Sequence, residues 1–423
     1  MAAAMQPQAE VPDTALPRHA WLTVGLLWFV ALFNYLSRVM MPTMHGSIVA
    51  AIPMSEAEFG LLTSAFLWIY GLLNPIAGFL SDRLGRSRVI LISMLAWSAI
   101  TCLTAYARTF EQLLVMRILM GVSETCYFPA ALALISEYHR GPTRSLACGL
   151  HMTGVLCGAA LGGLGGWLAE VRSWHFAFSL LGYVGIAYGV ILVFILRDAP
   201  SAPEEAAPVE RKIGFGSALA SMGGSPAFLR VFAFACVAGA IGYSMLGWMP
   251  TYLHEHYHLR QGAAGLSATG YLNVAEFSGV FIGGIWSDRW SRTQPRARAL
   301  VLAIGYCLAA PGIFLVAHAG ILPFALAGLM LWGLASGFMD SNLMPVICLV
   351  VDQRYRATAY GLINMGATVA GGLAIYGVGL LRDRGMDYGR MLGLASFCVI
   401  LCPLLIAGIK PRKTQVGASP SAS

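Results

Sequence analysis

The sequence predicts an all-α integral membrane protein, with twelve transmembrane helices in two pseudo-symmetric six-helix bundles. Three observations carry that prediction. Of 423 residues, 57% are hydrophobic and only 11% charged, with a mean hydropathy of +0.69, whereas a soluble chain carries about 25% charged residues. Apolar runs of about 20 residues recur along nearly the whole chain. As helices they cross a hydrocarbon core about 30 Å thick, whereas barrel strands would give alternating segments of about 10 residues. Finally, one stretch repeats: GFLSDRLGRSR (78–88) ends the second apolar run and GGIWSDRWSR (283–292) ends the eighth.

The runs place spans at about 21–46, 57–80, 87–107, 112–136, 145–168, 175–196, 227–252, 263–287, 297–318, 321–350, 357–380 and 390–409. An even count puts both termini on one side. With the N-terminus inside, the inside segments hold eighteen Lys and Arg and the outside loops six, so the positive-inside rule predicts cytoplasmic termini in a cell-membrane protein. Residues 197–226, rich in Pro, Ala, Glu and Gly, read as a cytoplasmic linker between bundles 1–196 and 227–423. The N-terminal MAAAMQPQAEVPDTALPRHA has no apolar core of a signal peptide, so the first span is expected to stay in the mature protein.

The net charge of +7 and the pI near 9.0 are spread over predicted cytoplasmic loops as orientation signals, so no nucleic-acid partner is expected. Nine cysteines stand at no metal or redox spacing and read as small apolar residues. No Walker or dinucleotide fingerprint follows a predicted strand, so no nucleotide cofactor, resident metal or enzymatic activity is expected. Gly158, Gly162 and Gly166, with Gly361, Gly371 and Gly372, supply small faces for close helix contact.

In the repeat, Gly78, Ser81, Asp82, Arg83 and Arg86 correspond to Gly284, Ser287, Asp288, Arg289 and Arg292. A small residue lets helices approach, and an Asp with several Arg can pair with neighbouring helix ends. Asp82, Arg83, Arg86, Asp288 and Arg289 are therefore candidate conformational gate residues. The alternative is that the arginines only anchor the helix ends. With twelve spans, a long central loop and GFLSDRLGRSR between spans 2 and 3, the chain resembles the major facilitator superfamily over almost its whole length. That resemblance implies a secondary transporter in which two halves rock about a midplane site.

A charge at the bilayer centre costs several kcal/mol, so each one is a functional candidate. The candidates are Arg38 in span 1, Arg117 and Glu124 in span 4, Glu276 in span 8 and Asp340 in span 10, with His151 in span 5 able to titrate. A planar guanidinium holds a carboxylate or phosphate through two parallel hydrogen bonds, which makes Arg38 an anion anchor. Alternatively it forms a buried pair with Glu124 or Asp340 that fixes helix packing. Arg117 and Glu124, seven residues apart, share one face of span 4 about two turns apart. Glu124 reads either as a proton carrier or as a static partner of an arginine.

NYLSR (34–38), SAFLWIYGLLNPIAGFLSDRLGRSR (64–88) and RILMGVSETCYFPAALALISEY (117–138) resemble motifs of the anion:cation symporters, which move sugar acids and other organic acids with protons. The resemblance implies that Arg38 contacts the substrate carboxylate and Tyr70 hydrogen-bonds the substrate. It also implies that Arg117 and Glu124 belong to a proton-coupling network, with H+ as coupling ion, and that Asn364 is a polar contact. Tyr35, Asn273 and Asn342 are further candidate substrate contacts, and Glu276 and Asp340 further candidates for proton coupling. The chain departs from the family at Ser37, where a proton-carrying carboxylate is expected.

The rival reading is an organophosphate exchanger, since GWMPTYLHEHYHL (247–259) resembles that branch too; its second arginine would have to be Arg230, near a helix end, or Arg117. A sensor with the same fold would need a signalling domain, for which the linker and the tail KPRKTQVGASPSAS offer no length. A monomer with a small organic anion and the bilayer as partners is expected.

Overall fold

A computed structural model describes residues 19–139, 143–199, 215–352 and 355–409; for residues 75, 77–83, 215–218 and 357 it describes the backbone only. The first half contributes α1 (Ala20–Thr43), α2 (Glu56–Leu84), α3 (Arg86–Thr104), α4 (Phe110–Tyr138), α5 (Arg144–Val171) and α6 (Trp174–Ile195). The second contributes α7 (Pro226–His256), α8 (Gln261–Ser291), α9 (Ala297–His318), α10 (Leu322–Val350), α11 (Arg356–Asp383) and α12 (Tyr388–Ala407). Among the described residues, ten helices are long and apolar enough to cross a membrane. The other two, α2 with 29 residues and α8 with 31, stand where the second span of each half is predicted.

Local chemistry explains where the helices start. Ser55 opens α2 with a capping box: its hydroxyl accepts from Glu58 N at 3.1 Å and the Glu58 carboxylate accepts from Ser55 N at 2.8 Å, so two orphan N–H groups find partners. Thr109, Ser173, Ser225 and Asp387 cap α4, α6, α7 and α12 more simply, each side chain accepting from the N–H three residues on, and Pro226 sits in the first turn of α7, where no N–H is needed. Between α2 and α3 the chain turns on Gly85 alone, at φ 86°. A side chain would be strained there, which accounts for the glycine. The linker holds a helix that the sequence reading did not separate out, Phe215–Gly223.

Glycines set how closely the helices meet. A Cβ on Gly154 of α5 would lie 2.6 Å from the Trp28 carbonyl oxygen of α1, and one on Gly182 of α6 would lie 2.6 Å from the Cys102 nitrogen of α3. Gly158 and Gly162 likewise press on Leu32 and Val39 of α1, as packing glycines should. Because the obstacle at Gly182 is backbone, Gly182→Val is expected to destabilise the protein by about 1–3 kcal/mol, read as a lower melting temperature in detergent. An unchanged melting temperature would show that α3 and α6 can separate freely.

The two bundles meet chiefly through α2 against α11 and α5 against α8. Ser64 donates to the Gly372 carbonyl at 2.7 Å, and Trp68 Nε1 to the Val369 carbonyl at 3.2 Å. On the other side, Thr269 Oγ1 donates to the Ala160 carbonyl at 2.8 Å and accepts from Gly163 N at 3.1 Å, while Gln261 joins Ser47 at 2.9–3.1 Å. These links gather toward the end of the molecule where α1 runs into α2 and α7 into α8, and they hold that end shut.

Candidate functional site

The polar face of α1 brings Asn34, Ser37 and Arg38 into the interior, all of them buried. Arg38 Nη2 lies 3.1 Å and Nε 3.4 Å from Glu124 Oε2 of α4. Of the two readings open for Arg38, the pairing with Glu124 is the one present in this conformation. Ser37 donates to the Asn34 carbonyl at 2.8 Å and stands 3.4 Å from Glu124 Oε1. The serine therefore occupies the space where a carboxylate would face Glu124 directly.

Aromatic rings surround the guanidinium. Its carbon lies 4.4 Å from the Tyr70 ring centroid, 4.6 Å from Tyr35 and 5.0 Å from Phe66, distances at which ring faces attract a cation. Arg117 shares the Phe66 ring at 4.7 Å, donates Nε to the Leu62 carbonyl at 3.3 Å, and leaves Nη2 without a hydrogen bond although it is only 2% exposed. Around the Phe66 ring two buried arginines thus meet a single buried carboxylate, a local surplus of one positive charge. Burying unmatched charge is costly, and a bound anion removes the imbalance.

Across the interior, Glu276 of α8 and Asp340 of α10 are side-chain neighbours. Among the described residues neither meets a Lys or Arg within ion-pair distance. Tyr243 has Arg38, Tyr70 and Asp340 among its electrostatic neighbours, and Tyr360 has Tyr70, Tyr243 and Asp340. Asp340 and Tyr360 are exposed. Arg38, the tyrosines and Asp340 accordingly share one central space between the bundles.

The asparagines are placed differently. Asn273 Nδ2 donates to Thr269 O at 2.8 Å in its own helix. Asn342 Nδ2 donates to Phe338 O at 3.0 Å and reaches Gly283 O of α8 at 3.4 Å, which ties α10 to α8. Both amides donate within helix packing, and Asn342 Oδ1 is buried without a hydrogen-bond partner. Asn364 is half-buried on α11, four residues and one turn from Tyr360.

Trp248 donates to Ile375 O at 3.0 Å and is buried packing. Arg230 donates to Gly408 O at 2.9 Å near the end of α12, well away from Arg38 in the chain's layout. His151 is fully buried against Tyr127 and Phe128. Sequence reasoning missed Phe66 and Tyr360; the i, i+4 spacings Phe66–Tyr70 and Tyr360–Asn364 were the available signal.

Among the described residues, two gate candidates meet partners in their own bundles. Arg86 Nε meets Glu137 of α4 at 2.9 Å, and Asp288 meets Arg298 at 3.1 Å. Ser87 N donates to Asp198 at 2.7 Å. The side chains of Asp82 and Arg83 lie outside the described residues, and no described contact of Arg289 joins the bundles.

Two apolar helical bundles around a charged interior site define a membrane carrier. The chain belongs to the Major Facilitator Superfamily, whose pattern it matches over residues 27–375. It is 27% identical to the probable sulfoacetate transporter SauU of Cupriavidus necator, covering 92% of this chain and 94% of that one. It is 25% identical to the gallate transporter of Pseudomonas putida, covering 97% of each. Its fold superposes with a TM-score of 0.76 on a bacterial homolog of the human lysosomal transporter Spinster, crystallised inward-facing and unoccupied, at 21% identity over 93% of this chain and 96% of that one. The family and these relatives are transporters, not enzymes.

Proposed function

We infer that this carrier imports a small organic anion, a monocarboxylate or sugar acid, together with a proton, by alternating access. The observation that carries the reading is the buried surplus of charge, Arg38 and Arg117 against Glu124 alone. Relatives named for sulfoacetate and gallate transport support an organic acid as substrate. All twelve helices cross the membrane, with both termini cytoplasmic as the Lys and Arg distribution requires. The shut end is then the outer one, and this conformation faces the cytoplasm.

The chemistry follows from the shared guanidinium. While Glu124 is ionised it occupies Arg38 through Nε and Nη2. A proton on Glu124 releases those donors, and a substrate carboxylate takes them bidentately. Tyr35 and Tyr70 flank the site and offer hydroxyls to the rest of the substrate, while Arg117 keeps the site net positive, so that proton and monoanion enter together without changing its charge. Proton and substrate thereby bind together, and the loaded carrier rocks because its two states differ in affinity for the pair. Glu276 and Asp340 stand by as second proton carriers.

The test is uptake of labelled gallate, sulfoacetate or galactarate into proteoliposomes under an inward proton gradient. Gradient-stimulated uptake of at least one acid is expected, and uptake indifferent to the gradient would defeat the coupling. Ser37→Asp provides a further check: a carboxylate there cancels the surplus positive charge, so substrate affinity should fall about tenfold, roughly 1.4 kcal/mol. Unchanged affinity would show that the surplus does not hold the anion.

A further inference from the structure

Two ion pairs join the bundles at the shut end. Glu56, the first residue of α2, accepts from Arg382 Nε of α11 at 3.1 Å, and Arg382 Nη2 continues to the Glu255 carboxylate at the end of α7 at 2.8 and 3.0 Å. Beside it, the Asp383 carboxylate accepts from Glu56 N at 2.8 Å and Ala57 N at 3.0 Å, the opening N–H groups of α2. On the opposite side Glu170, in the last turn of α5, pairs with Arg260, the residue before α8. It also accepts from Gly262 N in the first turn of α8 at 3.0 Å.

These positions correspond under the internal repeat. Helix α2 is the second of its half and α8 the second of the other; α5 and α11 are the fifth of each. In both places a carboxylate at the C-terminal end of a fifth helix caps the N-terminus of the second helix of the opposite bundle. There it meets unpaired N–H groups and the positive end of the helix dipole. An Arg–Glu pair crosses the same joint with its sign reversed: Glu on the second helix at one joint, Arg on the second helix at the other. The two joints differ in exposure. The Arg382 side chain is 12% exposed, lies over the Trp248 ring at 5.2 Å and shares Glu56 Oε2 with His45, whereas that of Arg260 is 82% exposed.

We propose that these joints are a pseudo-symmetric pair of latches that hold this end closed, and that the α2–α11 latch, centred on Arg382, Asp383 and Glu56, is the dominant one. Opening this end pulls α2 from α11 and α8 from α5, so both caps and both ion pairs break together. The latch whose arginine is shielded costs more to break, because the exposed Arg260 is screened by water.

Hydrogen exchange of the full-length carrier in nanodiscs reads the opening directly, since the capped amides exchange only when the latch parts. Arg382→Gln is expected to speed exchange at residues 56–57 and along the facing parts of α2 and α11 about tenfold. Glu170→Gln is expected to speed exchange at Gly262 and the start of α8 about threefold. The double variant should show both increases, with melting temperature and exchange in α3 and α6 unchanged. Unaltered exchange at residues 56–57 in Arg382→Gln, a larger effect of Glu170→Gln, or a rise spread over the whole protein would each overturn the proposal. If Arg382→Gln fails to fold, Asp383→Asn keeps the ion pair and removes only the cap; faster exchange at residues 56–57 then supports the latch, and unchanged exchange overturns it.

Discussion

Arg38→Ala should reduce saturable uptake of the transported acid by at least about a hundredfold, measured in proteoliposomes at equal reconstitution. Among the described residues, the guanidinium is the only group that both pairs with Glu124 and sits among the Tyr35, Tyr70 and Phe66 rings. Its removal takes away two charge-assisted hydrogen bonds to the substrate and leaves Glu124 buried without its close partner, a change worth about 3–5 kcal/mol. Arg38→Lys keeps the charge but not the planar fork, so it should recover only part of the loss. Uptake by Arg38→Ala within a few-fold of the wild type would remove the anion anchor.

The second large effect is expected for Glu124→Gln. Glutamine keeps the size of the side chain and cannot take up a proton, so the Arg38 fork is permanently released. Downhill exchange of labelled for unlabelled acid should continue, while accumulation driven by a proton gradient should fall to the level without a gradient. Retained accumulation would shift the proton to Glu276 or Asp340, which face each other across α8 and α10 without a basic partner among the described residues. Loss of both activities would make Glu124 a structural partner of Arg38.

The sequence exposed Arg38, Arg117 and Glu124 because a charge in an apolar run is costly, and the structure brings all three to one place. The puzzle of Ser37 finds its answer in the same place, since its hydroxyl borders Glu124 and leaves that carboxylate alone against two arginines. Asn273 and Asn342 looked alike as polar residues in apolar helices. In both, a carbonyl one turn back takes the side-chain amide, an outcome decided by rotamer and packing.

Glu56, Glu170, Arg260 and Arg382 passed as ordinary flanking charges because nothing in residue type separates a charge facing water from one facing the other bundle. Only the tertiary pairing of second with fifth helices distinguishes them. The gate motif was legible as a repeat, yet Arg86 and Asp288 meet partners in their own bundles, a distinction that spacing along one helix does not contain.

The central claim is that a proton on Glu124 hands Arg38 to the substrate. Proton uptake on binding measures it most directly: the purified carrier in weakly buffered solution, with a pH indicator, is mixed with whichever of gallate, sulfoacetate or galactarate raises its melting temperature. The account predicts about one proton taken up per anion bound by the wild type and none by Glu124→Gln. Binding of the acid without proton uptake by the wild type would contradict it.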